Sequence, residues 1–261
     1  MADRLKRIIP GLLKDSGMMK KAEPCVSRLM EAINKRERIL IYGKGDREGV
    51  CSISMLVLVL RYFNANLEYF VLQELEDDHG LHRMVSTHMD FFTPGLIISL
   101  DEDFTTRSLP VLRDRGKEVL GIGHGAKDLA LSYSKEDYCL VSNVFQVSNR
   151  LSMAYNTRNV FRYVDLVFLG SEDGHLGKCD STRCLYRNLG LRHLSDTSNY
   201  GLCACKKITS EDPYRLRDFI TPRVNPNGRV DNSSIIIELL TTDDRYRAEQ
   251  IAKYLYNLTI S

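Results

Sequence analysis

The sequence predicts an α/β fold: a parallel, doubly wound sheet flanked by helices, followed by a helical C-terminal part. Three observations predict it. Short apolar runs alternate with helical segments, each run ends in a glycine- or aspartate-rich loop, and from about Ser148 only helical spacing persists. The expected organisation is N-terminal helices over residues 1–36, an α/β core over 37–180, and a helical extension with a linker helix over 181–261.

Arg38 to Tyr42 (RILIY) is a continuous apolar run closed by Gly43, the pattern of a strand buried on both faces. The loop Gly43-Lys44-Gly45-Asp46-Arg47-Glu48-Gly49 leads into VCSISMLVLVLRYF, long and apolar enough for a buried helix. Leu67 to Leu72 is the next strand. His79, His82 and His88 fall on a predicted surface helix as ordinary polar residues. Leu96 to Leu100 is a further strand, closed by Asp101-Glu102-Asp103. A helix is expected over Thr105 to Arg115 with Thr105 as its N-cap. Glu118 to Ile122 returns as a strand ending at Gly123-His124-Gly125. Beyond it, STRCLYRNLGLRHL and DDRYRAEQIAKYLYNL carry apolar residues at helical spacing with charged opposite faces.

Composition narrows the function classes. Of 261 residues, 43% are hydrophobic and 27% charged, which fits a globular core and excludes a disordered or fibrous chain. No apolar run reaches membrane-spanning length, and MADRLKRIIPGLLKD has charges scattered through its apolar positions, so it reads as an amphipathic helix and not a secretory signal. A net charge of +2 means that any nucleic-acid site must be a local patch. The seven cysteines are odd in number and dispersed, which points to a reducing, intracellular (cytoplasmic) location. Cys179, Cys184, Cys203 and Cys205 cluster without a C-x2-C knuckle and read as small hydrophobes. The glycines near Lys44 lack the Gly-Lys-Ser/Thr ending of a phosphate-cradling P-loop.

In a doubly wound sheet, ligands gather beyond the carboxyl ends of the strands. Asp46, Asp101 and His124 each stand just past a strand end and are expected to converge in one cleft. Carboxylates and an imidazole so placed are what two hard divalent cations need in phosphodiester chemistry. Asp46 taken alone also reads as a helix-initiating carboxylate. Arg223, Asn225 and Arg229 offer two guanidiniums and an amide, which suit phosphate oxygens or would lock a linker.

Six segments in order carry a resemblance that covers nearly the whole chain: KRERILIYGKGDREGV, LIISLDEDFT, LGIGHGAKD, YVDLVFLGSEDGHL, TRCLYRNLGLRHL and TPRVNPNGRVDNSSIIIELLTTDD. Together they resemble the DHH phosphoesterase family, specifically its RecJ-type single-strand exonucleases. Position by position, the resemblance implies a depleted metal site. The first motif, of form DxDxDG, reads Lys44-Gly45-Asp46-Arg47-Glu48-Gly49, so Lys44 replaces a metal-ligand aspartate while Asp46 remains. Asp101 matches the metal-bridging aspartate. The name-giving Asp-His-His triplet corresponds to Gly123-His124-Gly125, and the fourth motif's aspartate falls at Asp173 or Gly174.

The resemblance therefore implies a catalytically degenerate RecJ-like protein, in which Lys44 neutralises the remaining carboxylates in place of metal. It implies a DNA replication or repair accessory that binds partners of the GINS and MCM type and, with them, single-stranded DNA. No cofactor is expected in that reading. The alternative is a weakly active exonuclease on single-stranded DNA or RNA, using Mn²⁺ or Mg²⁺ at Glu48, Asp46, Asp101, His124 and Asp173, with Glu102 or Asp103 filling in. The family's second, DHH-associated domain is expected to be absent from this chain.

Overall fold

The computed structural model describes residues 16–72, 77–123, 129–135, 138–157, 159–171, 181–209, 212–223 and 232–260. His124, Asp173, Asn225, Arg229 and the predicted helix within residues 1–15 lie outside the described residues.

Helix α1 (Ser16–Asn34) leads into strand β1 (Arg38–Lys44), helix α2 (Arg47–Tyr62), strand β2 (Asn66–Leu72) and helix α3 (Asp78–Phe92). Strand β3 (Leu96–Ser99), helix α4 (Glu102–Asp114) and strands β4 (Val119–Ile122) and β5 (Leu131–Tyr133) complete the sheet. Helix α5 (Leu140–Ala154), a 3₁₀ turn (Asn159–Tyr163) and α6 (Asp165–Gly170) follow. The remaining helices are α7 (Ser181–Leu194), α8 (Tyr200–Thr209), α9 (Pro213–Phe219), α10 (Ser233–Thr241) and α11 (Arg245–Ile260).

All strand pairs are parallel, in the order β2-β1-β3-β4-β5. The alternation along β1 explains the two layers. Ile39 and Ile41 point into the larger core, with α1, α2, α5 and the C-terminal helices, whereas Leu40 and Tyr42 point into a smaller core under α3 and α4. The larger core is continuous from Ala22 to Leu255, so the helical C-terminal part packs into the same apolar interior as the sheet.

Three expectations are corrected. Thr105 is not a cap: Asp101 caps α4, accepting from the Phe104 amide at 2.6 Å. The Thr105 hydroxyl instead donates inward to the Asp101 carbonyl at 2.5 Å. A carboxylate one turn earlier satisfies the orphan amides first. His88 is no surface residue: it is half-buried and stacked on Phe70, with ring centroids 3.9 Å apart, and its Nδ1 pairs with the Tyr42 hydroxyl at 2.9 Å. Helix α5 begins at Leu140, earlier than the shift placed near Ser148, and the short edge strand β5 had no distinct sequence signal. Among the described cysteines, Cys25, Cys51, Cys139, Cys203 and Cys205 are free.

Candidate functional site

In the order β2-β1-β3, chain direction across the sheet reverses between β1 and β3, and ligands of doubly wound sheets gather beyond the strand ends at such a switch point. Lys44 ends β1 and Asp46 follows it. Asp101 follows β3, two residues past Ser99, which pairs with Tyr42.

Each carboxylate starts a helix. Asp46 is the N-cap of α2 and its Oδ1 accepts from the Gly49 amide at 2.7 Å. Asp101 does the same for α4 through Oδ1. The helix-initiating and the strand-end readings of Asp46 thus coexist. Gly49 is required by close approach: a Cβ there would stand 2.2 Å from the Lys44 carbonyl oxygen.

With one oxygen committed to a cap, Asp101 turns the other toward Lys44, whose Nζ lies 3.1 Å from Oδ2. The Asp101 carboxylate is 4% exposed and Lys44 57%, so the pair has one dry and one wet partner. Among the described residues Oδ2 makes no hydrogen bond of good angle, and the Lys44 ammonium faces it as a counter-charge. The Asp101 carboxylate so close by holds the Lys44 ammonium above its ordinary range, helped by the charges of Asp46 and Asp103.

The loop after β1 and the segment around Ser171 are held by residues without a distinct sequence signal. Arg217 is 2% exposed, donates to the Ser171 carbonyl and lies over the Phe168 ring at 5.4 Å. Arg47 reaches the same carbonyl at 3.4 Å. Ser233, at the start of α10, donates to the Gly45 carbonyl at 2.9 Å and fastens that helix to the strand-end loop. In PYRLRDF, Leu216 and Arg217 are both buried, and helical spacing cannot tell a buried arginine from a solvated one. Arg223 is exposed, its amide donating to Asn232 Oδ1 at 2.9 Å.

Among the described residues, two carboxylates and one ammonium stand at the ends of β1 and β3. Asp46 and Asp101 bring two negative charges, each with one oxygen already used as a cap, and Lys44 returns one positive charge. No group of three or more metal-ligating side chains occurs among the described residues.

The switch point, the parallel order and the aspartates at the ends of β1 and β3 define a doubly wound α/β scaffold with carboxylates at its strand ends. Comparisons with known proteins bear on its branch. The single-stranded-DNA-specific exonuclease RecJ of Bacillus subtilis is 23% identical over 252 residues, covering 90% of this chain and 32% of that protein. The crystal structure of exonuclease RecJ bound to manganese superposes with a TM-score of 0.75 at 21% identity, over 94% of this chain and 66% of that one. The DHH domain of a member of the s1p family of ribosomal proteins gives 0.58 at 12% identity, over 100% of this chain and 68% of that one. No family model matches the chain. The chain is thus similar in sequence to RecJ proteins and shares the fold of RecJ and of a DHH domain. It spans between 32% and 49% of the length of the curated relatives it matches. No helix among the described residues is long and apolar enough to cross a membrane.

Proposed function

We propose that this RecJ-like chain carries an internal ammonium where its relatives use divalent metal, and that it serves DNA replication or repair as a binding protein instead of an efficient nuclease. The observation that supports this is the 3.1 Å approach of Lys44 Nζ to Asp101 Oδ2. A divalent ion entering there would meet a fixed positive charge a few ångströms away, and that repulsion is strong beside a buried carboxylate. Lys44 leaves the carboxylates neutralised and the cleft shaped.

In this reading Asp46, Asp101, His124 and Asp173 are remnants of a metal site. Arg223, Asn225 and Arg229 are the phosphate contacts for a single strand. Partners of the GINS or MCM type, and an intracellular, reducing location, belong to the same proposal and rest on the motif resemblance and the cysteine pattern. The rival reading, a weakly active Mn²⁺-dependent exonuclease on DNA or RNA, predicts opposite outcomes in one experiment. Native protein, Lys44→Asp and Asp101→Ala are titrated with Mn²⁺ and incubated with labelled single-stranded DNA and RNA. We expect no tight Mn²⁺ binding and no cleavage by the native protein, and at least about tenfold stronger Mn²⁺ binding by Lys44→Asp. Tight binding by the native protein, with cleavage abolished in Asp101→Ala, would overturn the proposal.

A further inference from the structure

A concave site lies around the far end of α2, away from the strand-end aspartates. Helix α2 has Asp46 and Gly49 at its N-terminus, below Lys44; its far end carries Arg61 and Tyr62. Sixteen helical residues span about 24 Å, so the two ends face different surfaces. Around that far end is an open cavity of about 700 Å³, walled by α2, by Tyr69 of β2, by Tyr163 of the 3₁₀ turn and by the end of α10 with the loop after it.

The lining is chemically specific. Tyr62, Tyr69 and Tyr163 bring three phenol rings. Burial keeps the hydroxyls of Tyr69 and Tyr163 above their ordinary range, so both remain donors. Arg61 is the cation of the lining; it is exposed, and its described contact is a long 3.4 Å bond to the Thr241 carbonyl. Of the two carboxylates, Glu238 is neutralised by Arg247 at 2.7 Å, whereas Asp243 has no ion-pair partner among the described residues. An anion alone would be repelled by Asp243, and a cation alone by Arg61. A ligand that joins an aromatic ring, an anionic group and hydroxyl or amino donors satisfies every part of the lining.

We propose that this cavity binds a nucleotide unit. The base stacks on tyrosine, the phosphate meets the Arg61 guanidinium, and Asp243 accepts from the sugar hydroxyls or an exocyclic amine. The volume is within the range of small-molecule sites. A free nucleoside monophosphate and one nucleotide of a single strand share this chemistry.

The test is calorimetric titration of the full chain with AMP, GMP, CMP and UMP, with adenosine and with inorganic phosphate. At least one monophosphate should bind more tightly than either adenosine or phosphate. Arg61→Gln should weaken the monophosphate about tenfold and adenosine little, whereas Tyr62→Ala should weaken both about tenfold. Lys44→Asp, at the end of β1, should leave this binding unchanged, which separates the cavity from the strand-end site. Competition by oligothymidylate assigns the cavity to a strand; oligothymidylate that fails to displace the monophosphate assigns it to the free nucleotide. Both variants are checked by urea unfolding; Tyr62 is 46% exposed. Absence of monophosphate binding at millimolar concentration, or affinities unchanged in both folded variants, would sink the proposal.

Discussion

Lys44 and Asp101 meet across the switch point of the sheet, Nζ to Oδ2 at 3.1 Å, from the ends of neighbouring strands. The same carboxylate opens α4 through its other oxygen, so one side chain joins a charge pair to a helix cap. The two roles separate by mutation and by pH.

Asp101→Asn keeps the cap, because asparagine caps about as well as aspartate, and deletes only the charge. With Lys44 57% exposed, the loss of stability should be under about 1 kcal/mol. Asp101→Ala also strands the Phe104 amide and should cost about 2 kcal/mol. Urea midpoints of the two variants measure the difference, and equal losses would contradict the separation.

The Lys44 ammonium titrates above its ordinary 10.5 in the fold. Its contribution to stability is therefore complete below that value and is lost as pH rises through the higher folded value. Native protein should lose more stability than Lys44→Met between pH 9 and 12. Observing parallel curves would show that the pair does not couple to folding.

His88 shows the opposite sign. Burial lowers its basicity below the ordinary 6.5, so the unfolded chain takes up the proton first. Stability should be full above that value and fall as pH drops through the folded value. His88→Phe removes the titration, and its stability should change less than that of native protein between pH 7.5 and 5. The Tyr42 hydroxyl loses its partner in that variant, at a constant cost of about 1 kcal/mol.

Gly49→Ala should be among the most damaging small substitutions, because its Cβ would meet the backbone carbonyl of Lys44 at 2.2 Å. Backbone does not yield as a side chain does, so a loss of about 3 kcal/mol is expected in urea unfolding. A loss below about 1 kcal/mol would mean that the strand-end loop can open without cost.

Thr197→Val tests a buried carboxylate away from the cleft. Asp165 is 1% exposed and accepts from the Thr197 hydroxyl at 2.6 Å, with His193 Nδ1 at 3.6 Å. Removing the hydroxyl leaves a buried oxygen short of a donor and should cost about 2–3 kcal/mol. A near-neutral effect would show that His193 or water takes its place.

Much of this was legible in the chain. RILIY and LIIS read as parallel strands because residues buried on both faces leave no polar alternation. Asp46 and Asp101 were placed at strand ends by the same pattern, and the ordered motifs carried the family likeness. Periodicity reports how each residue faces its own element. Which elements then become neighbours depends on sheet order and register, and those are summed over contacts distant in sequence. Only the tertiary structure therefore decided that Asp101 displaces Thr105 as a cap, that His88 turns into an aromatic stack, and that Arg217 lies buried against Phe168. It also decided that Lys44, at the end of β1, lies within reach of the Asp101 carboxylate beyond β3.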